Sequence, residues 1–189
     1  RLLAERIAVP AGGAATFVGV VNVRTPNLPD GGAVRLKDRE RGGEHANWDQ
    51  ALTLMFSGSQ PGVRQILIER DDQCPTLFLI GDSTVSDQAR APWSSWGQIL
   101  PRFFAPSIAV ANHAENGETI CSARGERRFD KLLNALRPGD WVAILFGHND
   151  MKSTAPDAVT TFAADLSDLV SAVRARGAEP ILVTPMERR

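Results

Sequence analysis

The chain has 189 residues, of which 43% are hydrophobic and 23% charged, and a net charge of −1, values ordinary for a globular protein of one domain or two small ones. The near-neutral balance gives no reason to expect nucleic acid or an anionic membrane as partner. No apolar run approaches the length of a membrane-spanning helix, and Cys74 and Cys121, with neither metal spacing nor Cys-x-x-Cys, read as free thiols.

Residues 1–72 read as part of an all-β unit. Residues 15–23 are apolar and β-branched, 48–56 alternate partly and 63–69 resemble another strand, and between them lie Pro26, Pro29, Gly31-Gly32, Gly42-Gly43 and Gly58 to Gly62 as turn signals. No long amphipathic helix interrupts them. His45 falls in a polar, glycine-containing stretch and reads as solvated. The acids and proline of Asp71-Asp72-Gln73-Cys74-Pro75 read as a linker to a second unit over residues 76–189.

From residue 76 the pattern becomes strand, helix, strand, helix. The apolar run Thr76-Leu77-Phe78-Leu79-Ile80 ends in Gly81-Asp82-Ser83-Thr84. A buried strand ending this way places a hydroxyl on a sharp turn whose backbone N–H groups are free to bind an anion. Taken alone, the same residues also read as a helix N-cap. A helix is predicted over 93–104, with Trp93, Trp96, Ile99, Leu100 and Phe103 on one face; its two tryptophans read as core, with a sugar-stacking surface as the alternative. The strand Ile108-Ala109-Val110-Ala111 leads into Asn112-His113-Ala114-Glu115-Asn116-Gly117-Glu118-Thr119.

A second helix spans 127–136, with Phe129, Leu132, Leu133 and Leu136 inward, and stops before Pro138-Gly139. Glu126, Arg127, Arg128 and Lys131 read as its solvated face. The strand Trp141-Val142-Ala143-Ile144-Leu145-Phe146 ends in Gly147-His148-Asn149-Asp150. A third helix spans 158–176, with Phe162, Leu166, Leu169, Val170 and Val173 inward and Gly177 as its stop. A last strand covers 180–184. Alternating strands and helices predict a parallel sheet in an α/β sandwich with right-handed crossovers. In such a sheet the loops at the carboxyl ends of the strands converge on one crevice.

Gly-Asp-Ser after the first strand, a glycine after the second and Gly-x-Asn-Asp after the third resemble the SGNH, or GDSL-type, hydrolases. The wording is similar to the rhamnogalacturonan acetylesterase branch through Gly81-Asp82-Ser83-Thr84-Val85-Ser86-Asp87-Gln88, Pro92-Trp93-Ser94-Ser95-Trp96-Gly97-Gln98, Gly117-Glu118-Thr119, Gly147-His148-Asn149-Asp150 and Val183-Thr184-Pro185-Met186. The resemblance implies a three-layer flavodoxin-like fold with five strands, of which this sequence supplies four, preceded by an accessory β-sandwich. It implies a serine esterase without metal or organic cofactor, acting on acetyl groups of pectic polysaccharide and secreted or periplasmic.

Ser83 is then the nucleophile, and Ser83, Gly117 and Asn149 donate to the oxyanion of the tetrahedral intermediate. Plainer roles stay open: Gly117 as a turn residue, Asn149 as a cap. His148 is expected to point away from the crevice if Asn149 faces it, since neighbours on an extended segment alternate. His113 is expected to be structural, orienting the Gly117 loop. The family's Asp-x-x-His motif occurs nowhere in the sequence, and Ala91 stands where close relatives tend to carry an acid. The chain starts at Arg1 and stops at Arg189, so the expectation is an internal, truncated piece of an esterase that lacks the catalytic Asp and His. A lysophospholipase-like or small-ester hydrolase, and a non-catalytic carbohydrate-binding fragment, are the alternatives.

Overall fold

The computed structural model describes residues 2–41, 48, 51–88, 90 and 92–187. His45 and Ala91 lie outside these residues. Four strands form one parallel sheet: β1 (Thr76–Gly81), β2 (Ala109–Asn112), β3 (Trp141–Leu145) and β4 (Glu179–Leu182), in the order β2-β1-β3-β4. The two central strands are apolar at nearly every position because a parallel sheet is covered on both faces. Alternate side chains go to opposite layers. Phe78, Ile80, Val142 and Ile144 enter one core with α3 (Ile120–Gly125), α4 (Arg128–Ala135) and α5 (Ala158–Ala175). Leu77, Leu79, Ala143 and Leu145 enter the other, with Val85, Trp96 and Leu100. Each aliphatic side chain buried this way contributes about 1.5–3 kcal/mol. Together they fix the carboxyl ends of β1, β2 and β3 side by side.

The long helix follows the predicted periodicity. In α5, Leu169 and Val173 are fully buried and Phe162, Leu166 and Val170 pack beside them. The predicted helix over 93–104 is shorter. An α-helical turn, α2 (Trp96–Ile99), is capped by Ser95, whose side chain accepts from Gln98 N–H, and a 3-10 turn over Leu100–Phe103 follows. Pro101 has no N–H to continue the α-helical ladder. The helix starts only at its Ser95 cap, so Trp93 precedes it and is 72% exposed, and Phe103 is 70% exposed, while Trp96 and Leu100 pack against the sheet. The expected apolar face is thus split.

The N-terminal stretch departs further from expectation. Among the described residues of 2–72 there is no strand. There is a single antiparallel bridge, Asn27 with Ala33, and a one-turn helix, α1 (Asp38–Arg41). Val18, Leu67 and Ile68 are well exposed, and no described residue of the three apolar segments belongs to a sheet. Residues 24–41 and Trp48 instead dock on the α/β unit. Leu28, Val34 and Trp48 are buried, Arg35 N–H donates to Glu126 O at 2.9 Å, and Lys131 Nζ donates to Asn27 O at 2.7 Å.

The docked segment also overturns the solvated face expected at 126–131. Arg128 is fully buried. Its guanidinium makes a two-pronged contact with Glu40, at 3.0 and 2.6 Å, and a 2.9 Å bond to Glu126, with Glu118 at 3.8 Å. Residues 37–41 and Trp48 supply the cover and a countercharge, which a helix-face reading of 126–131 alone does not contain.

Candidate active site

The site begins at the end of β1. A Cβ on Gly81 would lie 2.3 Å from Leu145 O, so only glycine lets β1 and β3 approach here and turn. Asp82, fully buried, accepts from Thr84 N–H at 2.9 Å and from Thr84 Oγ1 at 2.8 Å, while its own carbonyl accepts from Val85 and Ser86 N–H, both at 3.0 Å. This tight local bonding turns the chain and lifts Ser83 half-buried onto its apex. Ser83 N–H makes no hydrogen bond to any described residue, and Ser83 O accepts from Gln88 Nε2 at 2.9 Å.

After β2, residues Glu115 to Glu118 make a β-turn closed by Glu118 N–H to Glu115 O at 3.4 Å. Gly117 holds φ +75°, the backbone of the third position of a type II turn. Its N–H, like that of Ser83, finds no acceptor among the described residues. Asn116 ties this turn to the Ser83 loop. Its Oδ1 accepts from Gln88 Nε2 at 2.8 Å and from Ser86 Oγ, and its Nδ2 donates to Gln88 Oε1 at 3.0 Å.

The third loop joins from β3. Asn149 Nδ2 donates to Glu118 O at 2.9 Å, and Asn149 Oδ1 accepts from Lys152 Nζ at 2.7 Å. An amide nitrogen carries two hydrogens, so one remains for a ligand. Asp150 holds the loop down: its carboxylate accepts from Gly147 N–H at 2.9 Å and from Ile120 N–H, at the start of α3, at 2.8 Å. The chain of contacts 83–88–116 and 118–149 thus brings Ser83, Gly117 and Asn149 to one end of the sheet.

His113 is buried, with its ring edge-on to Trp48 and Phe78, each centroid 5.5 Å away. The alternation expected at His148 and Asn149 does not hold, because the two lie in a turn and not on an extended segment. His148 is half-buried, and its Nδ1 has no hydrogen bond to a described residue. Gln88, Asn116 and Asp150 were visible in sequence only as parts of motifs; their roles as ties between loops are tertiary. Asn116-Gly117 carried a turn signal, whereas nothing in the sequence marked Lys37.

Beneath the Gly117 turn lies the ion cluster. Lys37 pairs with the fully buried Glu118, Arg39 with Glu115, and Trp48 Nε1 donates to Glu40 at 2.9 Å. Burial raises the Glu40 carboxyl, but the hydrogen bonds and charge of Arg128, with help from Lys37 N–H and Trp48, outweigh it and hold Glu40 below the usual carboxylate range. Glu126 goes the other way: burial, with Glu118 adding to it, pushes its carboxyl up against the pull of Arg128. Burial disfavours the charge on Arg128, yet Glu40, Glu118 and Glu126 more than offset this.

A serine on a strand-ending turn of a parallel α/β sheet, with unused donors on the two neighbouring loops, defines a hydrolase-type crevice. The chain belongs to the GDSL-like lipase/acylhydrolase family, whose profile matches residues 79–189. It is 37% identical, over 60% of its length, to the rhamnogalacturonan acetylesterase RhgT of Bacillus subtilis (strain 168), of which the match covers 50%. It is 32% identical to the probable rhamnogalacturonan acetylesterase YesY of the same organism, over 59% of this chain and 54% of that one. The chain therefore spans about half the length of these relatives. Among solved structures, that of the YxiM protein of Bacillus subtilis superposes with a TM-score of 0.51 and 31% identity, covering 60% of this chain and 33% of the other.

Proposed function

We propose that residues 76–189 carry the nucleophile and oxyanion hole of a serine esterase that removes acetyl groups from pectic polysaccharide, with residues 1–72 accessory to them. The observation that carries the reading is the pair of unused backbone donors, Ser83 N–H and Gly117 N–H, on the loops that leave neighbouring strands. The amide of Asn149 lies beside them through Glu118. In this reading Ser83 Oγ attacks the acetyl carbonyl carbon, and the carbonyl electron pair moves to oxygen. The oxyanion is held by the two N–H groups and Asn149 Nδ2. Collapse expels the sugar oxygen, which takes a proton, and leaves acetyl-Ser83. Water then hydrolyses this ester and releases acetate.

The attack needs a base. The sequence holds three histidines and no Asp-x-x-His. With His113 packed between aromatic rings, we assign the base to a histidine outside these 189 residues. The acetyl and pectic specificity rests on the names of the relatives RhgT and YesY. The test is hydrolysis of p-nitrophenyl acetate by the 189-residue chain. Without the base, only the oxyanion hole and binding remain, worth roughly 10³–10⁴ over water, so weak hydrolysis is expected. Steady turnover that Ser83→Ala abolishes would instead place the base at His148 or His113. The substrate is tested on a form that includes the missing histidine, by comparing acetate release from acetylated rhamnogalacturonan with fatty-acid release from lysophospholipid.

A further inference from the structure

Lys37 reaches across from the docked N-terminal segment to the peptide that joins Asn116 to Gly117. Its Nζ donates to Asn116 O at 2.8 Å and pairs with the buried Glu118 carboxylate. It lies 4.0 Å from where a Cβ on Gly117 would be. Its own backbone N–H is bound to Glu40 at 2.9 Å, and Glu40 is clamped by the buried Arg128, so the lysine is carried on an anchored base.

A trans peptide is planar, and its C=O and N–H point in opposite directions. The carbonyl of Asn116 and the N–H of Gly117 belong to the same plane. Type I and type II turns share their ends and differ by a flip of this central peptide, with positive φ at the third position marking type II. Gly117 is at φ +75°. Anchoring Asn116 O on a cation therefore aims Gly117 N–H the opposite way, and a charged donor on the carbonyl polarises the amide into a stronger donor. The flanking Glu118 carbonyl is held independently by Asn149.

We infer that Lys37 is the positioning residue of the Gly117 oxyanion donor, keeping the 116–117 peptide in its type II orientation from outside the motif-bearing part of the chain. The inference rests on the role given to Gly117 in the proposed function. It makes Lys37 part of the apparatus of the crevice, where the sequence reads an accessory segment.

The test uses the 189-residue chain with ethylboronic acid, which adds to a serine oxygen as a tetrahedral anion, followed through the Gly117 amide in 1H–15N spectra of glycine-labelled protein. In the wild type the adduct moves the Gly117 resonance, and Ser83→Ala abolishes the movement. Lys37→Met is expected to shift the Gly117 amide nitrogen in the free protein and to weaken the adduct about tenfold or more, since loss of one donor costs on the order of 10²–10³. Lys37→Arg restores both. Arg39→Met, which removes the neighbouring ion pair to Glu115, leaves both at wild-type values.

If the wild-type adduct forms but Lys37→Met leaves its affinity and the free Gly117 resonance unchanged, the inference is overturned and the esterase reading stands. Equal weakening by Arg39→Met also overturns it, by showing that general docking of the segment is what matters. If the wild type forms no adduct at Ser83, the esterase reading fails and the inference goes with it.

Discussion

At the residue scale, the assignment of donors turns on Asn149 and His148, adjacent in one turn. Asn149 has its amide committed to the Gly117 loop, whereas His148 makes no side-chain hydrogen bond to a described residue. In a form of the protein that turns over, Asn149→Ala is expected to lower kcat by about 10²-fold with little change in KM, because the amide acts mainly on the transition state. His148→Ala is expected to cost far less. Steady-state kinetics on p-nitrophenyl acetate reads both. An unaffected Asn149→Ala beside an inactive His148→Ala would remove Asn149 from the oxyanion hole and make His148 the base.

At the element scale, the one-turn α1 is too short to persist alone. What holds it is its charge pairing with α4. Removing one partner of a buried pair costs about 3–5 kcal/mol, because the other charge is left uncompensated. Arg128→Met leaves Glu40 and Glu118 buried and should release residues 24–41, read as faster hydrogen exchange over that stretch and a lower melting temperature.

The pH dependence follows from the same groups. Glu40 is held below its unfolded value, so its stabilisation is present above the unfolded value, about 4.3, and is lost as pH falls through the lower folded value. Glu126 is held above its unfolded value. Its ionised form therefore costs stability at neutral pH, and that cost is relieved as pH falls through the raised value. Denaturant titrations across acid pH should show an Arg128-dependent loss below about pH 4. A pH profile identical in wild type and Arg128→Met would contradict this.

At the scale of the whole molecule, β4 is the edge of the described sheet, with Ile181 44% and Leu182 59% exposed. Val18, Leu67 and Ile68 add exposed apolar surface elsewhere. An uncovered apolar edge is a template for association. The 189-residue chain is expected to self-associate with rising concentration in light scattering, and Ile181→Lys with Leu182→Lys to reduce it. A sharp, reversible melt independent of concentration would count against this.

The same scale separates what was legible in sequence from what was not. The strands 76–80 and 141–146, the helix over 158–176 and the three loop motifs follow from periodicity and from Gly, Asp and Asn at strand ends. These signals are local, and in a parallel sheet local position already sends each loop to the same end. The sequence by itself thus determined the α/β layering, the family and the place of Ser83, Gly117 and Asn149. The tertiary structure decided the rest: that Arg128 is buried and not solvated, and that residues 24–41 lie on the hydrolase layer and bring Lys37 to Asn116. Those outcomes depend on pairings 79 and 88 residues apart. A charge on a helix face reads as exposed until its distant partner arrives to neutralise and cover it.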